Sequence, residues 1–295
     1  MKFTGTYTAL ITPFQRGRVD EAAFKNLVRE QIRGGVDGIV PTGTTGESPT
    51  LEFNEHIRVI ELAVQTAKGK IKVLAGTGAN STAEAIELTQ AAEAVGADGS
   101  LLVAPYYNKP SQEGLFQHFK KIGKATKLPI VLYSIPGRCN VEIAVSTVAR
   151  LAADCPNIVC IKEASGDARR VTDLFNALGD RYLIFAGLDD VALESFMLGC
   201  TGWISGLVDA FPRENRLLWD AFQAGDYARA LDVYRWYMPM LHFDSHPKLV
   251  QYIKLTCATL GYGTETVRAP RLPLVGEERE RILAIVQRCV ETRPE

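Results

Sequence analysis

The sequence lacks the cysteine and histidine patterns of disulfide-linked and metal-binding proteins. Its six cysteines include no C-x-x-C pair, which argues against both a disulfide framework and a zinc site. The four histidines show neither H-E-x-x-H nor H-x-H spacing, so any metal ligands would have to come from distant parts of the chain. We therefore predict free thiols and no metal ion.

Charge of one sign and long apolar runs are also scarce. The 33 basic residues balance 34 acidic ones, which gives no electrostatic footprint for nucleic acid or an anionic membrane. No apolar stretch approaches the length of a membrane span, and the first residues lack the regions of a signal peptide. We expect a cytoplasmic protein whose partners are small molecules or copies of itself.

The chain does contain a regular alternation of short apolar runs with helical patterns. Apolar residues recur at a spacing of three and four in 20–33, 54–67, 81–95, 112–126 and 167–178, which indicates helices. Eight runs of strand length accompany them, at 6–13, 38–42, 72–76, 99–104, 129–135, 158–163, 182–186 and 202–206. This α/β alternation predicts a closed (β/α)8 TIM barrel. An open doubly wound sheet is the alternative, but the G-x-G-x-x-G turn that would favour it is absent after the first strand.

The pattern changes after residue 211. Helical patterns follow at 213–224, 227–241, 247–260 and 277–289, and no Pro/Gly/Ser-rich linker precedes them. We therefore divide the chain into a barrel at 1–211, which carries the active site, and a C-terminal helical extension at 212–295, which packs on the barrel.

One predicted strand ends in a lysine. The apolar run from Ile158 to Ile161 is typical of a strand buried on both faces of a parallel sheet, and Lys162 follows it directly. Lysine is rarely buried without a partner. Taken alone, the Lys162 side chain more often turns out to solvent; the alternative is that it is retained for its amine.

The turn at 43–48, after the second strand, carries two hydroxyls between two glycines. Thr44 and Thr45 are followed by Gly46, and no G-K-[ST] sequence makes this a Walker loop. The pattern predicts either a tight turn, in which threonine caps a helix, or an anion cradle built from backbone N–H groups and hydroxyls.

Phenols and a guanidinium follow two further strands. Tyr106 and Tyr107 come after the fourth strand, where adjacent side chains point to opposite faces, so that one can pack and the other present its hydroxyl. Tyr133 ends the fifth strand, and Arg138 lies just beyond it, either as a solvated charge or as a ligand for a carboxylate.

All these groups would meet at one end of the predicted barrel, because the carboxyl ends of its strands converge there. An amine near phenols, hydroxyls and an anion cradle is the set of groups required for Schiff-base chemistry on a 2-oxo acid. Desolvation would lower the pKa of the Lys162 amine and free its lone pair, and a phenol could carry protons. Together the groups favour a catalytic lysine over one that turns out to solvent.

With these residues, and with the start at 8–14, the chain resembles the dihydrodipicolinate synthase and N-acetylneuraminate lyase superfamily of class I aldolases over nearly its whole length. The resemblance implies that Lys162 forms a covalent imine with pyruvate and that no other cofactor is needed. It also implies a proton relay of Tyr133, Thr44 and Tyr107, with Tyr107 offered across a dimer interface. A homotetramer built from two dimers is the corresponding expectation.

The resemblance assigns substrate contacts as well. Thr44 and Thr45 would hold the pyruvate carboxylate, with Gly46 and Ile204 also at the substrate. Arg138 would receive the carboxylate of the second substrate.

The branch of the superfamily stays open between a synthase, a deaminase and another 2-oxo-acid lyase of the same superfamily. Arg138 favours the dihydrodipicolinate synthases, which condense pyruvate with L-aspartate 4-semialdehyde for lysine and diaminopimelate biosynthesis. The sequence departs from their usual pattern at 139–140, 202–208 and 244–248, which resembles deaminases that act on a cyclic imino acid, 1-pyrroline-4-hydroxy-2-carboxylate. A non-catalytic binding protein on the same fold is a third alternative, against which the intact relay counts.

A second set of residues matches the positions that bind lysine as an effector in regulated members. These are Ser48, His56, Asn80, Glu84 and Tyr106. Phe53 stands where some regulated members carry histidine. The alternative interpretation is that Asn80 and Glu84 only cap and flank a helix.

Overall fold

The computed structural model describes residues 3–294, so that Met1, Lys2 and Glu295, at the outer ends of the two predicted regions, lie outside the described residues. The barrel strands are β1 (Gly5–Ala9), β4 (Gly38–Val40), β5 (Lys72–Gly76), β6 (Gly99–Val103), β7 (Ile130–Ser134), β8 (Ile158–Glu163), β9 (Leu183–Ala186) and β10 (Gly202–Ser205), and a hairpin pairs β2 (Phe14–Gln15) with β3 (Arg18–Val19). The barrel strands are parallel and form a closed eight-stranded barrel in the order β1-β10-β9-β8-β7-β6-β5-β4, which confirms the predicted fold class.

Helices follow the barrel strands and then form the C-terminal part of the chain. Those of the barrel are α1 (Glu21–Gly34), α2 (Phe53–Ala67), α3 (Thr82–Ala94), α4 (Gln112–Ala125), α5 (Pro136–Cys139), α6 (Val145–Asp154), α7 (Arg169–Leu178) and α8 (Ala192–Met197). The tail has α9 (Pro212–Gln223), α10 (Tyr227–Ser245), α11 (Leu249–Thr259) and α12 (Gly276–Glu291). None of the described helices is both long and apolar enough to cross a membrane.

The first strand is shorter than the sequence predicts. It ends at Ala9 rather than at residue 13, because the backbone N–H of Ile11 turns to the buried Asp209 carboxylate, 3.3 Å away, instead of a neighbouring strand. The chain then forms the short hairpin of β2 and β3, which the sequence did not predict. Helix α10 also runs four residues past its predicted end, to Ser245.

The tail shares one apolar core with the barrel. The Phe196 ring on α8 lies between Trp203 of β10, at 5.7 Å between ring centres, and Trp219 of α9, at 5.0 Å. Further along, α10 reaches α8, where the Tyr234 hydroxyl donates to the Glu194 carboxylate at 2.9 Å. The tail therefore packs beside the strand ends, while the boundary at residues 211 and 212 stays a prediction.

The buried pair Glu47–Lys254 connects the tail to the turn after β4. Both side chains are fully buried, and the Lys254 ammonium is hydrogen-bonded to the Glu47 carboxylate and to the Thr266 carbonyl, the latter at 2.7 Å. The second Glu47 oxygen accepts from the backbone N–H of Arg268 at 3.1 Å. Residues 43–48 are thus held from one side by α11.

Candidate active site

Lys162 is buried inside the barrel. It lies on β8 in register with Tyr133 of β7, and its ammonium nitrogen is 4.3 Å from the centre of the Tyr133 ring. Only 5% of the lysine is exposed. Because the side chain is buried, the interpretation that it turns out to solvent is wrong. Its Nζ forms no hydrogen bond or ion pair with any residue in the described range 3–294.

The surroundings of Lys162 favour the neutral amine. Burial lowers its pKa, and the positive charge of Arg138 lowers it further. The carboxylates of Asp244 and Asp189 act in the opposite direction. The balance is a lowered pKa, which leaves more of the amine with a free lone pair at neutral pH.

Tyr133 supplies a phenol that stays protonated. The side chain is buried, and this burial, followed by the negative charge of Asp244, raises its pKa far above the ordinary value. Within residues 3–294 its hydroxyl has no hydrogen-bond partner, so it remains available to a ligand bound beside Lys162.

The turn at 43–48 forms a cradle with two free hydroxyls. Two backbone hydrogen bonds close it, from Glu47 to the Thr44 carbonyl at 3.1 Å and from Ser48 to the Gly43 carbonyl at 3.2 Å. The hydroxyls of Thr44 and Thr45 have no hydrogen-bond partner among the described residues. They line a small inner cavity with Lys162, Tyr133, Arg138 and Asp244.

A larger apolar side cavity adjoins the inner cavity. It has a volume of about 170 Å³ and shares Thr44, Tyr133, Ile135 and Arg138 with the inner cavity. Arg138 follows β7 on the short α5, and its Nη2 donates to the backbone carbonyls of Asp244 at 3.4 Å and His246 at 3.3 Å. The guanidinium is thus fixed at the edge of both cavities.

Gly46 and Ile204 lie behind this site rather than on its surface. A Cβ on Gly46 would stand 2.9 Å from the Leu10 carbonyl oxygen and 3.0 Å from the Thr42 nitrogen, so close backbone packing requires glycine there. Ile204 is fully buried in β10, and neither residue lines the cavities described above. Their contact with substrate stays a prediction.

Tyr107 does not reach Lys162 within a single chain. Its side chain is 82% exposed, and the backbone N–H groups of Tyr106 and Tyr107 both donate to the Asn80 side-chain oxygen at 2.9 Å. The exposed phenol is available to another molecule, and its predicted place across a dimer interface stays a prediction.

Four of the five predicted effector residues line one cavity of about 130 Å³. They are Ser48, His56, Glu84 and Tyr106. His56 Nε2 lies 2.7 Å from the Gly76 carbonyl, and burial lowers the pKa of its imidazole. Asn80 stands beside this effector cavity through its bonds to the Tyr106 and Tyr107 backbone. The set forms a single pocket next to the cradle, while its binding of an effector stays untested.

Two carboxylates near Lys162 were not identified as site residues. Asp189 follows β9 and is fully buried, accepting from Trp203 Nε1 at 3.0 Å and Ser205 Oγ at 2.8 Å. Burial raises its pKa well above the ordinary value. Lys162 was predicted because side chains at the carboxyl ends of the strands meet at one end of the barrel, and the same reasoning could have identified Asp189. It could not have identified Asp244, which lies on a helix of the tail.

Gly187 makes room for the lysine. A Cβ at this position would lie 2.9 Å from Cγ of Lys162 and 2.6 Å from the Glu163 carbonyl oxygen. The glycine directly after β9 therefore sets the path of the Lys162 side chain.

Among the cysteines, Cys139 lines the side cavity. All six cysteines are free and buried. Among residues 3–294, no group of three or more His, Cys, Asp or Glu side chains is placed to hold a metal ion.

Comparisons with known proteins agree with one another. The sequence model of the dihydrodipicolinate synthetase family matches residues 2–289. A 4-hydroxy-tetrahydrodipicolinate synthase from Pelobacter propionicus is 43% identical over 289 residues, which cover 97% of this chain and 98% of that protein. The enzyme of this name from Aquifex aeolicus is 41% identical, with 97% of each chain covered. The solved structure of the synthase from Methylacidiphilum fumariolicum is similar with a TM-score of 0.94 and 43% identity, covering 98% of this chain and 97% of that one.

Proposed function

Since this chain belongs to the dihydrodipicolinate synthetase family, and is therefore a lyase of that family, we propose that it condenses pyruvate with L-aspartate 4-semialdehyde. This is the reaction of the 4-hydroxy-tetrahydrodipicolinate synthases and belongs to lysine and diaminopimelate biosynthesis. The observation that carries the proposal is the buried, unpaired amine of Lys162, which lies beside the Tyr133 phenol and two free threonine hydroxyls.

Lys162 would act as the nucleophile, with no cofactor besides its own covalent imine. Its neutral amine attacks the ketone carbon of pyruvate, and loss of one water from the carbinolamine leaves the imine. The imine withdraws electrons, so the pyruvate methyl group loses a proton and becomes an enamine. The enamine carbon then attacks the aldehyde, whose oxygen takes up a proton. The amino group of the aldehyde substrate, once deprotonated, finally attacks the imine carbon, which closes the ring of the product and expels the Lys162 amine. The water lost on imine formation is then the one water released overall.

The remaining groups have roles that their positions support. The Thr44 and Thr45 hydroxyls would hold the pyruvate carboxylate, and the protonated Tyr133 phenol would carry protons to and from the reacting atoms. Arg138 would bind the carboxylate of the aldehyde substrate in a bidentate manner.

We also propose a homotetramer built from two dimers, located in the cytoplasm. The support is the exposed Tyr107 phenol, which can complete the Tyr133 and Thr44 relay only if another copy of the chain contributes it. Its position on an outward-facing loop favours this arrangement over a relay within one chain.

The neighbouring effector cavity supports a proposal about regulation. A lysine molecule carries two ammonium groups and one carboxylate, and the cavity offers the Glu84 carboxylate, the His56 imidazole and the Tyr106 phenol. Because the effector cavity and the side cavity share Ser48 and Tyr106, an occupant could alter the geometry of the cradle.

Borohydride trapping tests the central proposal. Reduction in the presence of pyruvate should add the pyruvyl mass to one lysine, and peptide mapping should place it on Lys162. The fully buried Lys254 serves as an internal control, since its ammonium is engaged by Glu47. Lys162→Arg should abolish both the adduct and turnover while leaving the fold intact. An adduct on another lysine, or none, would remove the proposal.

A paired substrate assay separates this reaction from the deaminase alternative. The protein should consume pyruvate and L-aspartate 4-semialdehyde together and release no ammonia from 1-pyrroline-4-hydroxy-2-carboxylate. Ammonia release without pyruvate consumption would assign the imine chemistry to the deaminase branch.

A further inference from the structure

Asp244 stands at the boundary between two cavities. It is the second-last residue of α10 and lines the inner cavity that holds Lys162. It also lines an outer cavity of about 350 Å³, formed among others by Ala164, Ser165 and Leu188. The residues common to both cavities are Ile135, Arg138 and Asp244. A second substrate that enters through the outer cavity must therefore pass the Asp244 carboxylate and the Arg138 guanidinium.

The two charges at this boundary do not form a direct ion pair. Arg138 donates to the backbone carbonyl of Asp244, and no ion pair within 4.0 Å joins its guanidinium to the Asp244 carboxylate in the described chain. An opposite pair of charges held apart in this way matches the ammonium and carboxylate of one α-amino acid.

The neighbouring acids are less suited to this task. The Asp189 carboxylate is engaged by Trp203 and Ser205 and is fully buried. Asp190 pairs with His242 at 3.1 Å and lines neither cavity. Asp244 is the carboxylate that lines both cavities.

Gly206 lies between the cradle and this acid. A Cβ built on it would lie 3.5 Å from the Thr45 hydroxyl, 3.6 Å from Oδ1 of Asp244 and only 2.6 Å from Cδ1 of Ile253, so Ile253 requires glycine there. Thr45, Gly206 and Asp244 all line the inner cavity. A ligand in that cavity can therefore lie near both the Thr45 hydroxyl and the Asp244 carboxylate.

We infer that Asp244 determines specificity for the second substrate by binding its α-ammonium group, while Arg138 binds its α-carboxylate. The inference rests on the proposed function and names the feature by which the site selects an α-amino acid aldehyde over a simple one. Burial raises the pKa of the Asp244 carboxyl, whereas the positive charges of Lys162 and Arg138 lower it. An arriving ammonium would favour the ionised form in the same way.

The test compares two ligands that differ by the ammonium group. L-aspartate 4-semialdehyde carries it, and 4-oxobutanoate lacks it but keeps the aldehyde and the carboxylate. In Asp244→Asn we expect the KM of L-aspartate 4-semialdehyde to rise about 10- to 100-fold, as for loss of one charge-assisted hydrogen bond. The inhibition constant of 4-oxobutanoate, measured as a competitor of L-aspartate 4-semialdehyde, should change less than about twofold, because this ligand makes no bond to Asp244. Asp190→Asn, which removes a nearby charge outside both cavities, should change neither constant.

Trapping and a second variant separate the explanations. Borohydride trapping of pyruvate in Asp244→Asn should still modify Lys162, and loss of trapping in the unmodified protein would instead count against the proposed function. Asp244→Ser provides a second variant if Asp244→Asn folds poorly, and circular dichroism measures the folding of both variants. An equal loss for both ligands in a folded variant, or no loss for either, would overturn the inference.

Discussion

Breaking the buried Glu47–Lys254 pair should destabilise the fold and loosen the cradle together. Lys254→Met keeps the length of the side chain but leaves the fully buried Glu47 carboxylate without its ammonium partner. Removing one partner of a buried ion pair costs about 3–5 kcal/mol of unfolding free energy. The backbone N–H of Arg268, at 3.1 Å, and the Arg271 guanidinium, at 3.6 Å, remain near the carboxylate, so the lower end of that range applies.

Thermal unfolding measures this loss. For a chain of 295 residues about 3 kcal/mol corresponds to a fall of about 5 °C in the unfolding temperature. The KM of pyruvate should rise as well, since Glu47 closes the turn that carries Thr44. The double variant Glu47→Gln with Lys254→Met should be more stable than the sum of the single losses predicts, because no uncompensated charge is left buried.

A surface pair at the start of the same helix gives the control. Lys248 contacts Glu278 at 2.6 Å, and its side chain is 46% exposed. Lys248→Met should therefore cost no more than about 1 kcal/mol. If Lys254→Met destabilises the protein no more than this control does, the pair is not an energetic link between tail and cradle.

Three other variants or conditions address the site and the effector cavity. Gly187→Ala should lower kcat by about tenfold or more, because its Cβ would press on Cγ of Lys162, and steady-state kinetics on a folded variant with unchanged kcat would contradict this. The rate of imine formation with pyruvate should rise with pH and level off below the ordinary lysine pKa, since burial lowers the pKa of Lys162; a plateau reached only above about 10.4 would speak against it. Glu84→Ala should weaken inhibition by L-lysine while Glu87→Ala, an exposed change on the same helix, leaves it unchanged, and equal inhibition of both variants in the kinetic assay would exclude the effector cavity.

The barrel could be predicted from the sequence because its strands are short, apolar and evenly spaced. Strands β5 and β8 have the predicted bounds, and helix α4 differs by one residue. The end of β1 could not be predicted, because it depends on a bond from Ile11 to Asp209, nearly 200 positions along the chain. Strands β2 and β3 could not be predicted either, because two residues each are too few to show a strand pattern.

The chemistry at the strand ends was predictable for a similar reason. In a parallel barrel, the residue that follows a buried strand has its position fixed by topology, so Lys162 and Tyr133 could be placed together before their contact was known. Gly46 shows the limit of this reasoning, since sequence alone does not distinguish a glycine that contacts a ligand from one that packs against backbone. Asp244 shows another limit, because no strand precedes it.

The tail is therefore part of the site and not only a covering for the barrel. Helix α10 brings the Asp244 carboxylate to the inner cavity, and α11 brings Lys254 beneath the cradle. The strands alone would supply an amine, a phenol and hydroxyls, which suffice to form and deprotonate an imine. Selection of the aldehyde requires a charge pattern that the strand ends do not complete, because Arg138 offers only a cation. If Asp244 supplies the matching anion, changes in the last residues of α10 should alter the second substrate while the imine chemistry of Lys162 persists.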